Sequence, residues 1–243
     1  MPWDFWLIFL FLGVAVPWRG HVRLRKLLAR PAIDTTEKLT LYAATIAFQW
    51  LMLGVVAWRA LARGLTPAEL GLTGRLSARL IAASLLGAGV IGGLQWVNLR
   101  RMGKMEGAAP DLMRKLTSRI LPQSLVELLP YLALAVTAGV CEEFLYRGFA
   151  MAALSRAGLP LWVVVVVTSV LFGLAHAYQG RAGVLGTGVL GVLLSIARIV
   201  YSSLAPVMMW HTAVDVVAGI AAPKYLRTAP DIEQAAQNQT VTL

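Results

Sequence analysis

The stretch AGVCEEFLYRGF, from Ala138 to Phe149, decides the fold and raises the question of function. Two glutamates and an arginine, Glu142, Glu143 and Arg147, stand inside a long apolar run where a membrane-spanning helix is expected. An ionisable side chain inside a bilayer is costly, and such residues mark functional sites by default. The three charges therefore need partners, and the rest of the chain must supply them.

The composition around this stretch is that of a polytopic membrane protein. The chain has 243 residues, of which 58% are hydrophobic and 14% are charged, and its mean hydropathy is +0.69. Soluble domains carry about 25% charged residues, and several apolar runs here approach the ~20 residues that span a bilayer. We therefore expect an all-α fold, a membrane bundle of seven to eight transmembrane helices, with no sizeable soluble domain.

The net charge of +10 would suggest a nucleic-acid partner in a soluble protein. Here Lys and Arg gather in loops that flank apolar runs, where such residues set orientation and meet anionic lipid headgroups. The sequence has no zinc finger, no basic helix with heptads and no aromatic RNA-binding signature. We therefore expect the lipid bilayer as a partner and no nucleic acid.

The apolar runs predict the topology. Seven spans are expected at roughly 3–18, 39–58, 80–99, 129–152, 161–178, 183–201 and 204–222, with boundaries good to about 2–4 residues. The first and third loops together hold twelve Lys and Arg, and the second holds four. Since Lys and Arg favour the cytoplasmic side, the first and third loops are predicted to face the cytoplasm. A further re-entrant or interfacial segment around 106–125 would make an eighth helix.

Two connectors carry patterns of their own. In 64–79, Thr66 and Pro67 predict the start of a short interfacial helix that glycines end. Segment 111–125 mixes apolar and basic residues, which suits an amphipathic helix on the cytoplasmic surface. The expected organisation is N-terminal helices and connector over 1–125, a core carrying the buried polar residues over 126–222, and a polar tail over 223–243.

Few acidic residues and histidines fall deep within apolar segments, and all of them lie in the C-terminal half of the chain: Glu142, Glu143, His176, His211 and Asp215. Glu143 and Arg147 are four residues apart, so they share a helical face and can pair. Glu142 is rotated about 100° from Glu143 and has no partner on its own helix. One carboxylate is thus expected to be structural and the other to be available for chemistry.

Helical spacing also gives each histidine a companion. His211 and Asp215 are four residues apart, and a carboxylate beside an imidazole fixes its tautomer and raises its basicity. Phe172 and His176 share a face, so the phenylalanine is expected to pack one turn below the imidazole and exclude water. Cys141 is the only cysteine, and lone buried cysteines usually act as small apolar side chains.

An unpaired Glu142 with His176 and His211 on two other helices allows two chemistries. In the first, Glu142 is a general base on a water molecule, and the histidines polarise or protonate the substrate. In the second, the three side chains bind a divalent metal such as zinc, which acidifies its water. Both chemistries point to hydrolysis. The sequence has neither an HExxH zinc motif nor a GxSxG serine elbow.

Three short motifs together resemble a known family. They are EEFLYR at 142–147, FGLAH at 172–176 and HTAVD at 211–215. In order and spacing they are similar to the EExxxR, FxxxH and HxxxN or HxxxD motifs of the CPBP family of intramembrane proteases, the CAAX-protease and bacteriocin-processing family, also called ABI. The resemblance covers about residues 125–220, and the first three spans carry no motif.

The resemblance implies a CAAX-protease-like helical fold whose cavity opens toward the cytoplasm of a bacterial cytoplasmic membrane. It implies endopeptidase cleavage of membrane proteins or peptides; in the CAAX branch the substrate is prenylated and is cut just after the modified cysteine. Carried onto this chain, Glu142 and His176 would activate the water, and His211 and Asp215 would stabilise the oxyanion. The supporting residues would be Glu143, Arg147 and Phe172. The motifs leave both the metal-free and the metal-bound chemistry open.

Two positions depart from the CAAX branch. Asp215 stands where that branch usually has asparagine, and Gly180 stands where it often has one. An ionised aspartate cannot donate a hydrogen bond to an oxyanion, so Asp215 would have to be protonated or orient His211. Two other functions stay open: a non-proteolytic scaffold or peptide-immunity protein, and a proton-coupled transporter. The sequence shows no inverted repeat of the kind typical of transporters, which argues against the transporter. Convergence of Glu142 and the histidines on one pocket would favour hydrolysis.

Overall fold

The structure, a computed structural model, describes residues 1–30, 33–72 and 77–226, and within these ranges it forms helices and no strand. The eight helices of these ranges are α1 Trp3–Leu28, α2 Thr35–Ala62, α3 Ala78–Met102, α4 Ala108–Ile120, α5 Leu125–Arg156, α6 Leu161–Ala175, α7 Ala177–Tyr201 and α8 Ala205–Tyr225. Six of them are long and apolar enough to cross a membrane, and α6 is a shorter apolar helix. The expected polytopic helical bundle is confirmed.

The seven predicted spans correspond to α1–α3 and α5–α8, but the first is longer than expected. The predicted span 3–18 lies within α1, and the helix itself continues to Leu28. Pro17 does not break this helix. A wider π-helical turn over Phe11–Ala15 lies directly before the proline, where proline removes one backbone hydrogen bond and its ring needs space. Arg19 and Arg23 therefore lie on a helix and not in a loop.

One of the two predicted connector helices is observed and the other is not. The predicted amphipathic helix at 111–125 is observed as α4, with Leu116 and Thr117 buried. The predicted interfacial helix in 64–79 is wrong: Thr66 and Glu69 exchange two hydrogen bonds, as at a helix start, but only turns follow. Gly71, with φ +73°, ends them, because a left-handed backbone conformation stops a helix. Residues 73–76 of this connector lie outside the described residues.

One partly buried and one buried ion pair join helices near the ends of the bundle. Asp4 of α1 is 2.5 Å from Arg59 of α2, which places the N-terminus at the same end as the second loop, as the predicted topology requires. Glu127, near the start of α5, is 3% exposed and pairs with Lys38 at 3.1 Å. The charge of Lys38 offsets the cost of burying the Glu127 carboxylate.

The predicted polar tail begins later than expected. Residue 223 falls inside α8, which ends at Tyr225, and Leu226 is buried. Residues 227–243 lie outside the described residues. The division into three parts at 125 and 222 stays a prediction.

A close approach of α5 and α8 positions the site. A Cβ atom on Gly139 would lie 2.1 Å from Oγ1 of Thr212 and 2.8 Å from the carbonyl oxygen of Met208. Only glycine allows the two helices to come this near. The contact brings Glu143, one turn further along α5, against His211 of α8.

Candidate active site

The two glutamates stand where helix α5 changes its winding. Regular α-helix ends at Glu143, and Phe144–Ala150 form a π-helical turn before α-helix resumes. Such turns are rare and occur frequently at functional sites. Glu142 is half-buried, whereas Glu143 and Arg147 are 0% exposed. The two neighbouring carboxylates therefore have different surroundings, as the sequence spacing predicted.

Glu143 contacts both an arginine and a histidine. Its Oε1 atom accepts hydrogen bonds from Nη1 of Arg147 at 2.7 Å and from Nδ1 of His211 at 2.8 Å. The predicted Glu143–Arg147 pair is thus confirmed. The guanidinium also lies over the ring of Phe172, 4.2 Å from its centroid. Its charge is balanced by the carboxylate and the aromatic face, in a place with no access to solvent.

The predicted partner of His211 needs a correction. Asp215 was expected to fix its tautomer, but Glu143 does so, because Nδ1 of His211 donates to Glu143. Asp215 lies on the other side of the ring, with Oδ2 3.7 Å from Nε2. Spacing along one helix could indicate Asp215 but not a carboxylate on another helix. The imidazole therefore lies between two carboxylates, with Nε2 on the side of Asp215.

His176 follows the last residue of α6 and is oriented by the main chain. Its Nδ1 atom is 2.9 Å from the carbonyl oxygen of Phe172. Since a carbonyl only accepts, Nδ1 carries the proton of this bond, and Nε2 of the neutral ring keeps its lone pair. The ring of Phe172 lies 4.8 Å from His176 and 5.5 Å from His211, centroid to centroid. As expected, Phe172 is buried against the imidazoles.

The four residues predicted to be catalytic line one cavity of about 430 Å³: Glu142, His176, His211 and Asp215. They come from α5, the end of α6 and α8, which are far apart in sequence. The three predicted supporting residues, Glu143, Arg147 and Phe172, are absent from its wall and lie buried behind it. Cys141 is fully buried and is not part of this wall either.

Sequence reasoning missed two contacts to this site. Nε2 of Gln49, on α2, donates to Oε1 of Glu142 at 2.8 Å, and the hydroxyl of Tyr131 donates to the backbone oxygen of Asp215 at 2.9 Å. An amide inside the apolar second span was a signal that could have indicated Gln49, because polar groups at that depth need a partner. Tyr131 gave no such signal.

The metal alternative does not fit the arrangement. In the part of the chain that the structure describes, no group of three or more His, Cys, Asp or Glu side chains is placed to hold a metal ion. The predicted set of Glu142, His176 and His211 is therefore no metal site in this structure. We derive no step through a metal.

The family comparison agrees with this site. Residues 124–217 match the family described as type II CAAX prenyl endopeptidase, Rce1-like. The matched segment holds all three motifs, and the CPBP resemblance is confirmed over it. No curated protein and no solved structure matches the chain. The match and the apolar helices together support an integral membrane protein with a general role in intramembrane proteolysis.

Proposed function

We propose that the protein is an intramembrane endopeptidase that hydrolyses peptide bonds of membrane proteins or peptides, including prenylated CAAX-type substrates, with water activated by a glutamate. The observation that carries the proposal is the convergence of Glu142, His176, His211 and Asp215 on one cavity between membrane helices. Neither a scaffold nor an immunity protein requires a carboxylate and two oriented imidazoles on one cavity wall. Hydrolysis uses all of them.

Glu142 is suited to act as the general base. One carboxylate oxygen is fixed by Gln49, so the side chain is oriented and the second oxygen is available for water. Nε2 of His176 can accept a hydrogen bond from the same water, since its Nδ1 is the donor to Phe172. The water oxygen attacks the carbonyl carbon, and Glu142 takes the proton. The carbon–nitrogen bond then breaks, and Glu142 returns the proton to the leaving amine.

His211 is suited to stabilise the oxyanion. With Nδ1 bonded to Glu143, its Nε2 atom is the one near Asp215 and the cavity. A donor at Nε2 requires the doubly protonated ring, and the carboxylates of Glu143 and Asp215 on its two sides balance that charge. Asp215 then acts through His211 and need not itself donate to the oxyanion, so an aspartate can stand where the CAAX branch usually has asparagine.

The proposed orientation places the cavity toward the cytoplasm of a bacterial membrane. The cavity wall includes Arg19 and Arg23 of α1 and Met113 and Leu116 of α4, which belong to the two segments rich in Lys and Arg. These segments are predicted to be cytoplasmic. A substrate would therefore enter from the cytoplasmic side.

The test is cleavage of an S-prenylated, membrane-anchored peptide by the full chain in lipid nanodiscs, comparing wild type with Glu142→Gln. Glutamine can still accept the hydrogen bond from Gln49, so the change removes basicity and keeps the shape. We expect kcat/KM to fall about 100-fold or more, since general bases contribute 10²–10⁴-fold. Glu106→Gln is the matched control, because Glu106 is exposed and is not part of the cavity wall.

Undiminished cleavage by Glu142→Gln would exclude the mechanism. Cleavage by wild type should persist after treatment with a chelator; loss of activity that added zinc restores would instead establish metal chemistry. Peptide binding without any cleavage would favour a non-proteolytic role.

A further inference from the structure

A second pocket, of about 390 Å³, lies between helices α5, α6 and α7 and the connector that joins α2 to α3. It shares no lining residue with the cavity of the candidate active site. Four charged side chains belong to its wall: Glu69, Arg147, Arg156 and Arg198. Three cations and one carboxylate on a single wall of a membrane bundle need a charge balance, because unbalanced charge is costly there.

Two of these arginines have acidic partners. Arg147 donates to Glu143, and Arg156 donates to the carboxylate of Glu69 through N–H groups at 3.1 and 2.9 Å. The backbone N–H and the hydroxyl of Thr66 also donate to Glu69. The one carboxylate of the pocket wall is therefore already balanced and hydrogen-bonded.

Arg198 is the cation that remains. Among the residues that the structure describes, no acidic side chain forms an ion pair with Arg198. Its Nη2 atom donates to the backbone oxygen of Glu69 at 3.0 Å, a contact that offers no counter-charge. Three arginines thus face two carboxylates, Glu69 and Glu143, and one positive charge is unbalanced.

The arginines also have hydrogen-bond donors to spare. Nε and Nη2 of Arg147 and Nε of Arg198 are buried, and none of the three has a partner among the described residues. Buried N–H groups normally have a partner. A guanidinium presents its donors as a rigid fork that matches the oxygens of a phosphate group. The pocket wall therefore offers both the charge and the donors for an oxyanion.

The pocket lies at the level of the helix ends. Arg198 stands three residues before the end of α7 at Tyr201, and Leu161 of the pocket wall is the first residue of α6. Its neighbour Trp162 is 71% exposed, and exposed tryptophans gather at the depth of the lipid headgroups. The rest of the wall includes Met151 and Ile199, so an oxyanion with an apolar chain attached would also fit.

We propose that this pocket binds a phosphate oxyanion, either the phosphodiester of a lipid headgroup or a free phosphate, with Arg198 as the principal cation and Arg147 as a second donor. A phosphodiester carries one negative charge, which equals the charge that the wall leaves unbalanced. The oxyanion gives Arg198 a counter-ion and Arg147 a hydrogen-bond acceptor. The site is at the end of the bundle that holds the connector between α2 and α3, opposite the predicted cytoplasmic end.

The first experiment measures binding without turnover. The full chain in a phosphate-free maltoside detergent is titrated with short-chain phosphatidylglycerol and, separately, with sodium phosphate at constant ionic strength. The Tm is followed, because a ligand of the folded state raises it. We expect the Tm to rise, and the Kd obtained from the rise to increase about 10-fold or more in Arg198→Gln. Arg181→Gln is the control, because Arg181 is an exposed arginine of the same helix outside the pocket wall.

The two titrations distinguish the sources of the oxyanion. A rise with phosphatidylglycerol alone identifies a lipid headgroup, and a rise with sodium phosphate alone identifies a soluble anion; either supports the proposal if Arg198 is required. No rise with either ligand, or the same Kd in wild type and Arg198→Gln, would overturn it. Since no turnover is measured, the result is independent of the proposed function.

A second variant keeps the test decisive if Arg198→Gln does not fold. Ser155 is an exposed residue of the pocket wall, so Ser155→Asp adds a negative charge to this wall without removing a buried contact. We expect its Kd to increase about 5-fold or more, because like charges a few ångströms apart repel each other. Ser155→Asn, an uncharged change of the same size, should bind as wild type does. Equal Kd values for the two Ser155 variants would contradict the proposal.

Discussion

The carboxylate of Glu143 lies 2.8 Å from Nδ1 of His211, a residue 68 positions later in the chain. The same oxygen lies 2.7 Å from Arg147. One buried carboxylate therefore balances a structural cation and orients an imidazole of the cavity. The two duties can be separated by mutation.

Glu143→Gln should destabilise the protein and inactivate it. The change leaves Arg147 buried without a counter-ion, and breaking a buried pair in this way costs about 3–5 kcal/mol. A fall in Tm in detergent checks the stability, and Asp111→Asn is the control, since its pair with Arg114 is exposed and contributes about 0–1 kcal/mol.

The double change of Glu143→Met with Arg147→Met should recover much of the Tm and little of the activity. Apolar replacement of a buried ion pair is often neutral or stabilising, but Nδ1 of His211 would still lack its acceptor. Loss of such an orienting partner typically costs 10–100-fold in activity. Recovery of wild-type kcat/KM in the double variant would show that Glu143 matters only as the partner of Arg147.

Gly139→Ala should push α5 away from α8 and separate the motifs. The new Cβ atom would meet Oγ1 of Thr212 at 2.1 Å and the main-chain oxygen of Met208 at 2.8 Å, and overpacking of this kind costs about 1–3 kcal/mol. Both Tm and kcat/KM should fall. Gly93→Ala on α3 is the control, because a Cβ atom there meets nothing within 4 Å; a similar loss in both variants would mean that the close approach is not the cause.

Gln49→Met should reduce activity without a large change of Tm. Methionine has a similar volume but cannot donate to Glu142, and a hydrogen bond to a charged group contributes about 1.5–3 kcal/mol. We expect kcat to fall about 10-fold or more. Thr40→Val, a polar-to-apolar change at an exposed position of the same helix, should have no such effect. Unchanged kcat in Gln49→Met would remove Gln49 from the site.

Glu69 should make the second connector sensitive to acid. The pKa of Glu69 is lowered from its ordinary value of 4.5, chiefly by the hydrogen bond from the backbone N–H of Thr66, with further contributions from the Thr66 hydroxyl and from Arg156. A lowered folded-state pKa means that the stabilisation is complete above the unfolded pKa and is lost as the pH falls through the folded pKa. The Tm difference between wild type and Glu69→Gln should therefore be constant above about pH 5 and shrink at lower pH.

Residue spacing along single helices predicted contacts within each helix of the site, but not the contacts between helices. The pair of Glu143 with Arg147, and the packing of Phe172 below His176, follow from residues four apart on a helix. The contact of Glu143 with His211 does not, because it depends on how closely two distant helices approach at Gly139. Gln49 was missed for the same reason, since its partner Glu142 lies 93 residues away.

The membrane spans were predictable because bilayer thickness sets their length, but their ends were not. Helix α1 continues past Pro17 with a π-helical turn at Phe11–Ala15 directly before it, and residue spacing alone does not predict such a turn. The burial of Glu127 depends on Lys38, which the sequence placed in a loop.

The second π-helical turn, Phe144–Ala150, bears on how the motif could be transferred or altered. A π turn takes one more residue than an α turn, so every residue after Ala150 is rotated by about 100° relative to an uninterrupted helix starting at Leu125. Grafting EEFLYR onto a regular helix of another scaffold would reproduce the sequence of the motif but not the rotation that the π turn introduces. Deleting a single residue within 144–150 would instead make α5 a regular helix and leave the segment up to Arg156 on the face that it now occupies. Converting the π turn to α-helix without a deletion would turn that segment by about 100°.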